Sequence, residues 1–447
     1  MSLGKKSQMN GTEPLWVSYH EVPKGPSHPF YSRLERILKK YEFDGFCEKL
    51  CEPYYAEVMG RPSIPPGVYF RMLMIGYFEG ISSERGIAWK AADSKSLEGF
   101  LGYELLEETP DHSSLSRIRN RLPLEVHKEV FAKVLEILKQ EGLLKGKKIG
   151  LDASNLEANA AMRSIRHKID GKRYTAYLQK LARDSGREES SQEDLARFDR
   201  NRTDKSCSNR EWENPHDPEA RVTKMKDGRT HLAYKAEHAM DLETGAMVSA
   251  VIHPGDKGDT ETVWDTMAEA GENLQTVQER CEVEEEILQE LVADKGYHSN
   301  AVLVGLEEVG VRSYISEPER GRRRWRGKQG VRERLAVYGN RRRIQRAKGS
   351  LLQRLRAEIL ERSFAHMLET GAMRRVWLRG MENVWKRYLI HACAFNLALV
   401  MRKLYRAGTP RALEALVRAL LRSLFHLFSQ LSIFVEPRRL FQVSAAS

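Results

Sequence analysis

The sequence predicts an α/β fold, a mixed sheet flanked by helices, preceded by an all-α domain. Three observations predict it. Up to about residue 145 the apolar residues repeat only at helical spacing. Two short apolar runs then each end in an aspartate at a polar turn, with a β-hairpin pattern between them. A long, basic, helical segment follows the second run.

The first run is Lys148-Ile149-Gly150-Leu151-Asp152-Ala153-Ser154-Asn155, and the second is Leu291-Val292-Ala293-Asp294-Lys295-Gly296-Tyr297-His298. Acids at strand ends are where a sheet can gather carboxylates around a divalent cation without burying unpaired charge. At 447 residues the chain has room for two or three domains, and 41% hydrophobic with 30% charged residues describes a folded, soluble chain. A net charge of +11 favours a polyanionic partner; the alternative is a merely basic enzyme. The five cysteines (Cys47, Cys51, Cys207, Cys281, Cys393) do not complete a zinc-ligand pattern and read as free thiols in a reducing compartment. Met1 to Ser18 lacks a signal-peptide core. Arg418, Arg422, His426 and Gln430 interrupt the apolar run Leu416 to Val435 at helical spacing, giving an amphipathic helix rather than a membrane span. No membrane partner and a cytoplasmic location, associated with the nucleoid, are therefore expected.

Residues 1–29 read as a loose tail rich in Pro and Gly. Residues 30–145 form the helical domain. Helical spacing covers Tyr31 to Leu50 and Val68 to Phe78, Ser83 offers a cap to the next helix, and Asp93 begins another. In the short helix after Asp111, Leu115, Ile118 and Leu122 face inward and Arg117, Arg119 and Arg121 cover the outer side. Short helices ending in a basic one suggest a helix-turn-helix-like module contacting DNA; the alternative is a small bundle with solvated arginines. Glu125 to Leu144 is a long amphipathic helix leading into the first aspartate strand.

Residues 146–405 form the α/β domain. A polar insertion at about 162–227 is helical near Arg173 to Leu181. Leu232 to Met240 and Ala246 to His253 are the two arms of the hairpin. Asp256 and Asp259 read as turn and cap residues for an acidic helix from Glu261 to Leu288. Val311 to Ile315 is a last strand, residues 320–348 are strongly basic with Glu333 the only acid, and Leu351 to Leu404 is helical. That basic segment, with Arg322, Arg323, Arg324, Trp325, Arg326, Arg341, Arg342 and Arg343, reads as a nucleic-acid clamp, or as a solvated face. Tyr297 is expected to pack beneath the aspartates, and His298 to be structural. Residues 406–447 are an amphipathic helical tail.

Strand with acid, hairpin, helix, strand with acid, strand, then a helix with a glutamate is the order of the ribonuclease H-like nucleases and integrases. Within that group the chain resembles the DDE transposases of bacterial insertion sequences, over roughly Tyr54 to Leu404. The resemblance rests on Pro110-Asp111-His112-Ser113, Asp152-Ala153-Ser154, Asp217-Pro218-Glu219-Ala220-Arg221, Asp294-Lys295-Gly296-Tyr297 and Glu361-Arg362-Ser363-Phe364-Ala365-His366. It implies that Asp152, Asp294 and Glu361 are catalytic and hold two Mg²⁺ or Mn²⁺ ions. It further implies binding of inverted-repeat ends, hydrolysis there, joining of the 3′-hydroxyl to target DNA, and at least a homodimer on DNA. Many relatives carry a tyrosine, an arginine and a lysine around the glutamate where this chain has Arg354, Ala357 and Leu368. That departure leaves Arg356, Arg362 and His366 as candidates for phosphate contact, or as solvated helix charges, and Glu358 as a rival third acid. It also leaves open a silent DNA-binding protein that occupies repeat ends. A junction-cutting nuclease is a third reading.

Overall fold

The computed structural model describes residues 28–56, 63–104, 107–186, 191–201, 209–225, 227–319, 321, 325 and 327–434. The N-terminal region consists of helices α1 (Pro29–Lys40), α2 (Phe43–Cys51), α3 (Pro66–Glu79), α4 (Glu84–Ala92), α5 (Lys95–Leu101), α6 (His112–Arg121) and α7 (Leu124–Gln140). Ser83 caps α4 as expected and Asp111 caps α6, whereas α5 is capped by Ser94, one residue after the expected Asp93, which instead ends α4. The single helix expected over Tyr31 to Leu50 is instead two, because Glu42 turns into the left-handed region at φ 50°. α3 is buried on nearly all sides, and its Arg71 is neutralised inside by Asp44 and Glu35.

Next come β1 (Lys148–Glu157), β2 (Arg166–His167), α8 (Tyr174–Asp184), α9 (Gln192–Asn201), β3 (Trp212–Glu213) and β4 (Arg221–Lys224). They are followed by β5 (Thr230–Asp241), β6 (Met247–Pro254), α10 (Asp259–Cys281), β7 (Glu290–Ala293), α11 (Asn300–Glu308) and β8 (Arg312–Ile315). Four helices close the described chain: α12 (Gly327–Gln345), α13 (Ala347–Ala365), α14 (Met381–Tyr405) and α15 (Pro410–Phe434).

The main sheet has six strands, with β5 flanked by β1 on one side and by β4 and β6 on the other, then β7 and β8 beyond β1. The β6–β5–β1 ladders are antiparallel, whereas β1–β7 and β7–β8 are parallel. This is the mixed, ribonuclease H-like arrangement that the element order predicts. β2 and β3 form a separate ribbon within the insertion, which also carries α8 and α9.

Pleating sends alternate residues of β1 to opposite faces. Gly150 and Asp152 face α13: a Cβ on Gly150 would meet Leu360, and Asp152 meets Arg356. Across β5 the residue opposite Ala153 is Glu237, which faces α10 through Thr262 and Thr266. α14 seats against β6, where Asn396 bonds both the N–H and the C=O of Met247. It also lies against α3 and α7, so one continuous apolar core runs from the N-terminal helices into the sheet.

α13 is fixed to the sheet by a buried polar relay. Ser363 donates to the Leu360 carbonyl, so His238 Nδ1–H donates to Ser363 Oγ at 2.9 Å. His238 Nε2 then accepts from the Tyr388 hydroxyl at 2.7 Å, and Phe364 stacks on the imidazole at 4.0 Å. Burial holds the His238 pKa down at about 3, against 6.5 when free. The imidazole thus stays neutral when folded, while the unfolded chain takes up a proton below pH 6.5. Stability from this relay is complete above 6.5 and declines as pH falls toward about 3. Unfolding free energies at pH 7 and pH 5, compared between wild type and His238→Gln, test this. The acid-induced loss shrinks by about 2 kcal/mol in the variant; an unchanged loss means His238 titrates normally.

Candidate active site

The parallel pairing of β1 with β7 sets Lys148 opposite Glu290, Ile149 opposite Leu291 and Gly150 opposite Val292. Extended two residues past the Gly150–Val292 pair, this register would bring Asp152 level with Asp294, which itself begins the turn after β7. Neighbouring strands lie about 4.8 Å apart, so the two carboxylates project from adjacent backbones. Each has one oxygen fixed by a backbone N–H: Asp152 Oδ1 by Ala153 at 2.8 Å and Asp294 Oδ1 by Gly296 at 2.8 Å. Asp152 Oδ2 accepts from Arg356 Nη1 at 3.1 Å, so a cation already sits at this carboxylate. The Arg356 side chain is only 13% exposed, and its Nε is buried without a partner.

β7 ends at Ala293, but β1 runs on to Glu157. Beyond Asp152 the edge of β1 that faces β7's line is therefore open, until the chain at Arg374 and Val376 closes it at Glu157. An open cleft of about 700 Å³ fills this gap. Glu361 and Phe364 of α13 line one wall, and Lys235 and Asp259 line the other. Lys224, Lys257 and Arg374 stand on the rim among the acids Glu157, Asp227 and Glu369, so the lining is mixed in charge. Glu361 is exposed on α13 and faces this cleft. Glu358, one turn earlier, is exposed and pairs with Arg362 at 2.5 Å.

Beneath the aspartates lies a charged layer that the sequence did not single out. Glu237 is fully buried and accepts from the hydroxyls of Thr262, Thr266 and Tyr297, the last at 2.5 Å. Burial pushes the Glu237 carboxyl up, but His253, Lys235, Thr266 and Tyr297 outweigh it and hold its pKa below the ordinary value. Burial and then the Glu237 charge push the Tyr297 phenol well up, so it remains a donor. Tyr297 thereby ties the loop after Asp294 to β5, the supporting place expected of it. Asp259 is another missed member. It was read as a cap, yet the cap position belongs to Gly258, and Asp259 instead meets Lys235 Nζ at 2.6 Å. It also lies against Gly296, where an added Cβ would come within 2.3 Å of its Oδ2. Only the pairing of a buried Lys with a first-turn Asp, distant in sequence, distinguishes it from a cap.

The other residues singled out in the sequence are dispersed. Arg117 and Arg121 are exposed on α6, but Arg119 is buried and paired with Glu84 of α4. The expected outward row of three arginines is thus a row of two, because the helical turn carries position 119 inward beside Ile118. Arg322, Arg323, Arg324 and Arg326 lie outside the described residues. Trp325 is half-buried against the core, Arg341 pairs with Glu317, and Arg343 donates to Ser313; Arg342 is exposed. His366 is half-buried beside Phe395, and Arg362 is exposed. Trp377 is 49% exposed. Among the described residues no three acid, His or Cys side chains are close enough to hold an ion, Asp152, Asp294 and Glu361 included. No described helix is long and apolar enough to cross a membrane.

Residues 20–121 match the family model described as a transposase domain (DUF772), and residues 202–397 match the transposase DDE domain. The second match includes Asp294 and Glu361 but begins after Asp152, whose place rests on the strand register. No curated protein matches the chain. Among solved structures, a chain of the Mos1 transposase paired-end complex with left transposon end is similar over 71% of this chain and 82% of that one, at 9% identity and a TM-score of 0.18. That likeness is too slight to carry an argument. The two domain matches, in order and over about two thirds of the length, make this chain a member of the DDE transposases.

Proposed function

We propose that this transposase binds the inverted-repeat ends of an insertion sequence, cuts them, and joins the freed 3′-hydroxyl to target DNA at the cleft beside Asp152, Asp294 and Glu361. The observation that carries the reading is the register of β1 and β7, which, extended past Gly150 and Val292, would bring the two aspartates level beside the cleft that Glu361 lines. Carboxylate oxygens suit Mg²⁺ or Mn²⁺, and a pair of such ions would activate the attacking oxygen and stabilise the leaving one. Asp152 and Asp294 would hold them, with Glu361 as the third donor. Three features support this fit: the donors are hard oxygens, each aspartate is oriented by a backbone N–H, and Asp152 already accepts a cationic group.

The chain's own groups have separable tasks. Lys224, Lys257 and Arg374 on the rim draw in the phosphodiester backbone. Tyr297 and Glu237 hold the Asp294 loop against the sheet. Arg356 balances the Asp152 charge and lies within reach of a phosphate at the same carboxylate. Exposed Arg117, Arg121, Arg342 and Arg362 are available for DNA outside the cleft. Leu416, Leu420, Leu421 and Leu424 are exposed along α15, an apolar stripe suited to joining two copies on paired ends.

End cleavage on an oligonucleotide carrying the element's terminal repeat, with Mg²⁺ or Mn²⁺, tests the assignment. Asp152→Asn and Asp294→Asn lose on the order of a hundredfold or more in rate while still binding the end. Full cleavage by either variant contradicts the assignment, and wild-type binding without nicking in either metal identifies a silent end-binding protein instead. The third acid is tested separately. Glu361→Gln abolishes cleavage and Glu358→Gln retains it, since Glu358 already pairs with Arg362; the reverse result moves the role to Glu358.

A further inference from the structure

We propose that the insertion carries a second DNA site: a three-arginine pocket that seats one backbone phosphate away from the cleft. The proposal rests on the cleft being where DNA is cut. Arg163 lies on the 3-10 turn Met162–Ser164, Arg166 lies in β2, and Arg173 is the residue before α8. With Ser164, Thr175 and His216 they line one open pocket of about 310 Å³, and no aspartate or glutamate lines it. Among the described residues none of the three arginines has an ion-pair partner. Converging like charges repel, so the arrangement is favourable when an anion is shared between them.

A second, independent feature favours the same charge. The first turn of α8 has no side-chain cap and no acidic residue, so its N–H groups and its dipole are directed to the same place. The frame is fixed by packing. The rings of His167, Tyr174 and Tyr177 surround Trp212 at centroid distances of 5.2, 5.2 and 5.4 Å, joining β2, α8 and β3. Buried Asn214 donates to the Ala161 carbonyl and ties the end of the ribbon back to the segment after β1. Arginine forks on a fixed frame match the oxygens of a phosphodiester.

Its attachment to β1 favours a DNA phosphate over a free one. The insertion leaves the sheet at Glu157, five residues beyond Asp152, roughly 17 Å along the strand. The pocket thus belongs to a segment that grows from the strand carrying Asp152, so DNA engaged at the cleft is the phosphate source the proposal takes.

The test uses the full chain and a 30-base-pair duplex of arbitrary sequence, with affinity measured over a range of salt concentrations. In the triple variant Arg163→Gln, Arg166→Gln, Arg173→Gln, the slope of log K against log salt becomes shallower by about 0.9, the signature of one lost phosphate. All three side chains are on the exposed side of the insertion, and an unchanged thermal melt verifies the fold. Arg→Lys at the same three positions restores the slope, since charge is retained. An unchanged slope in the Gln variant overturns the proposal. So does protection of wild type, but not of the variant, by inorganic phosphate alone with the DNA slope unchanged, which assigns the pocket to free phosphate. The slope is read without divalent metal and without cleavage, so a failure of the cleavage assignment is distinguishable from a failure of this one.

Discussion

Everything at the candidate site depends on a short parallel ladder, the pairing of β1 with β7 over Lys148 to Gly150. Side chains on a strand alternate faces, so a slip of one residue would send Asp152 to the α10 side while Asp294 stayed in place. The register is held by what surrounds it. Ile149, Leu151 and Leu291 are fully buried, and Gly150 leaves the room that Leu242 and Leu360 fill. Because β7 stops at Ala293 and β1 continues, the same ladder that pairs the aspartates also opens the cleft beside them.

Two sets of polar contacts support this geometry from opposite faces of the sheet. On the α13 face, His238, Ser363 and Tyr388 fix the helix bearing Glu361 and Arg356. On the α10 face, buried Glu237 joins β5, α10 and the loop after Asp294 through hydroxyl donors. A buried carboxylate is costly unless its hydrogen bonds and charge are satisfied, and here Lys235, His253 and three hydroxyls satisfy it. Positive groups thus balance the acids on both faces: Arg356 at Asp152, Lys235 at Asp259 and Glu237.

Much of this was legible in the sequence, for definite reasons. Strand-end aspartates, the two hairpin arms and the cap at Ser83 are local signals, and each places its element. The insertion's helices and ribbon were less visible, since their core is a few aromatic rings around Trp212 rather than a long apolar stripe. Pairings across the chain were not legible. Lys235 with Asp259, Glu237 with Tyr297 and Arg356 with Asp152 join residues separated by intervening elements, and no local pattern marks them. For the same reason Arg119 was read as outward, when Glu84 on another helix draws it in.

The central claim is that Asp152 and Asp294 act as one site because the β1–β7 register makes them neighbours. Groups that share a ligand are non-additive, whereas independent ones add. The direct measurement is Mn²⁺ affinity of the wild type, Asp152→Asn, Asp294→Asn and the double variant, read by the paramagnetic signal of free ion. The account predicts that each single change weakens the tightest site by about tenfold or more, and that the double change weakens it little further. Unchanged binding in the single variants, or losses that simply add, would contradict it.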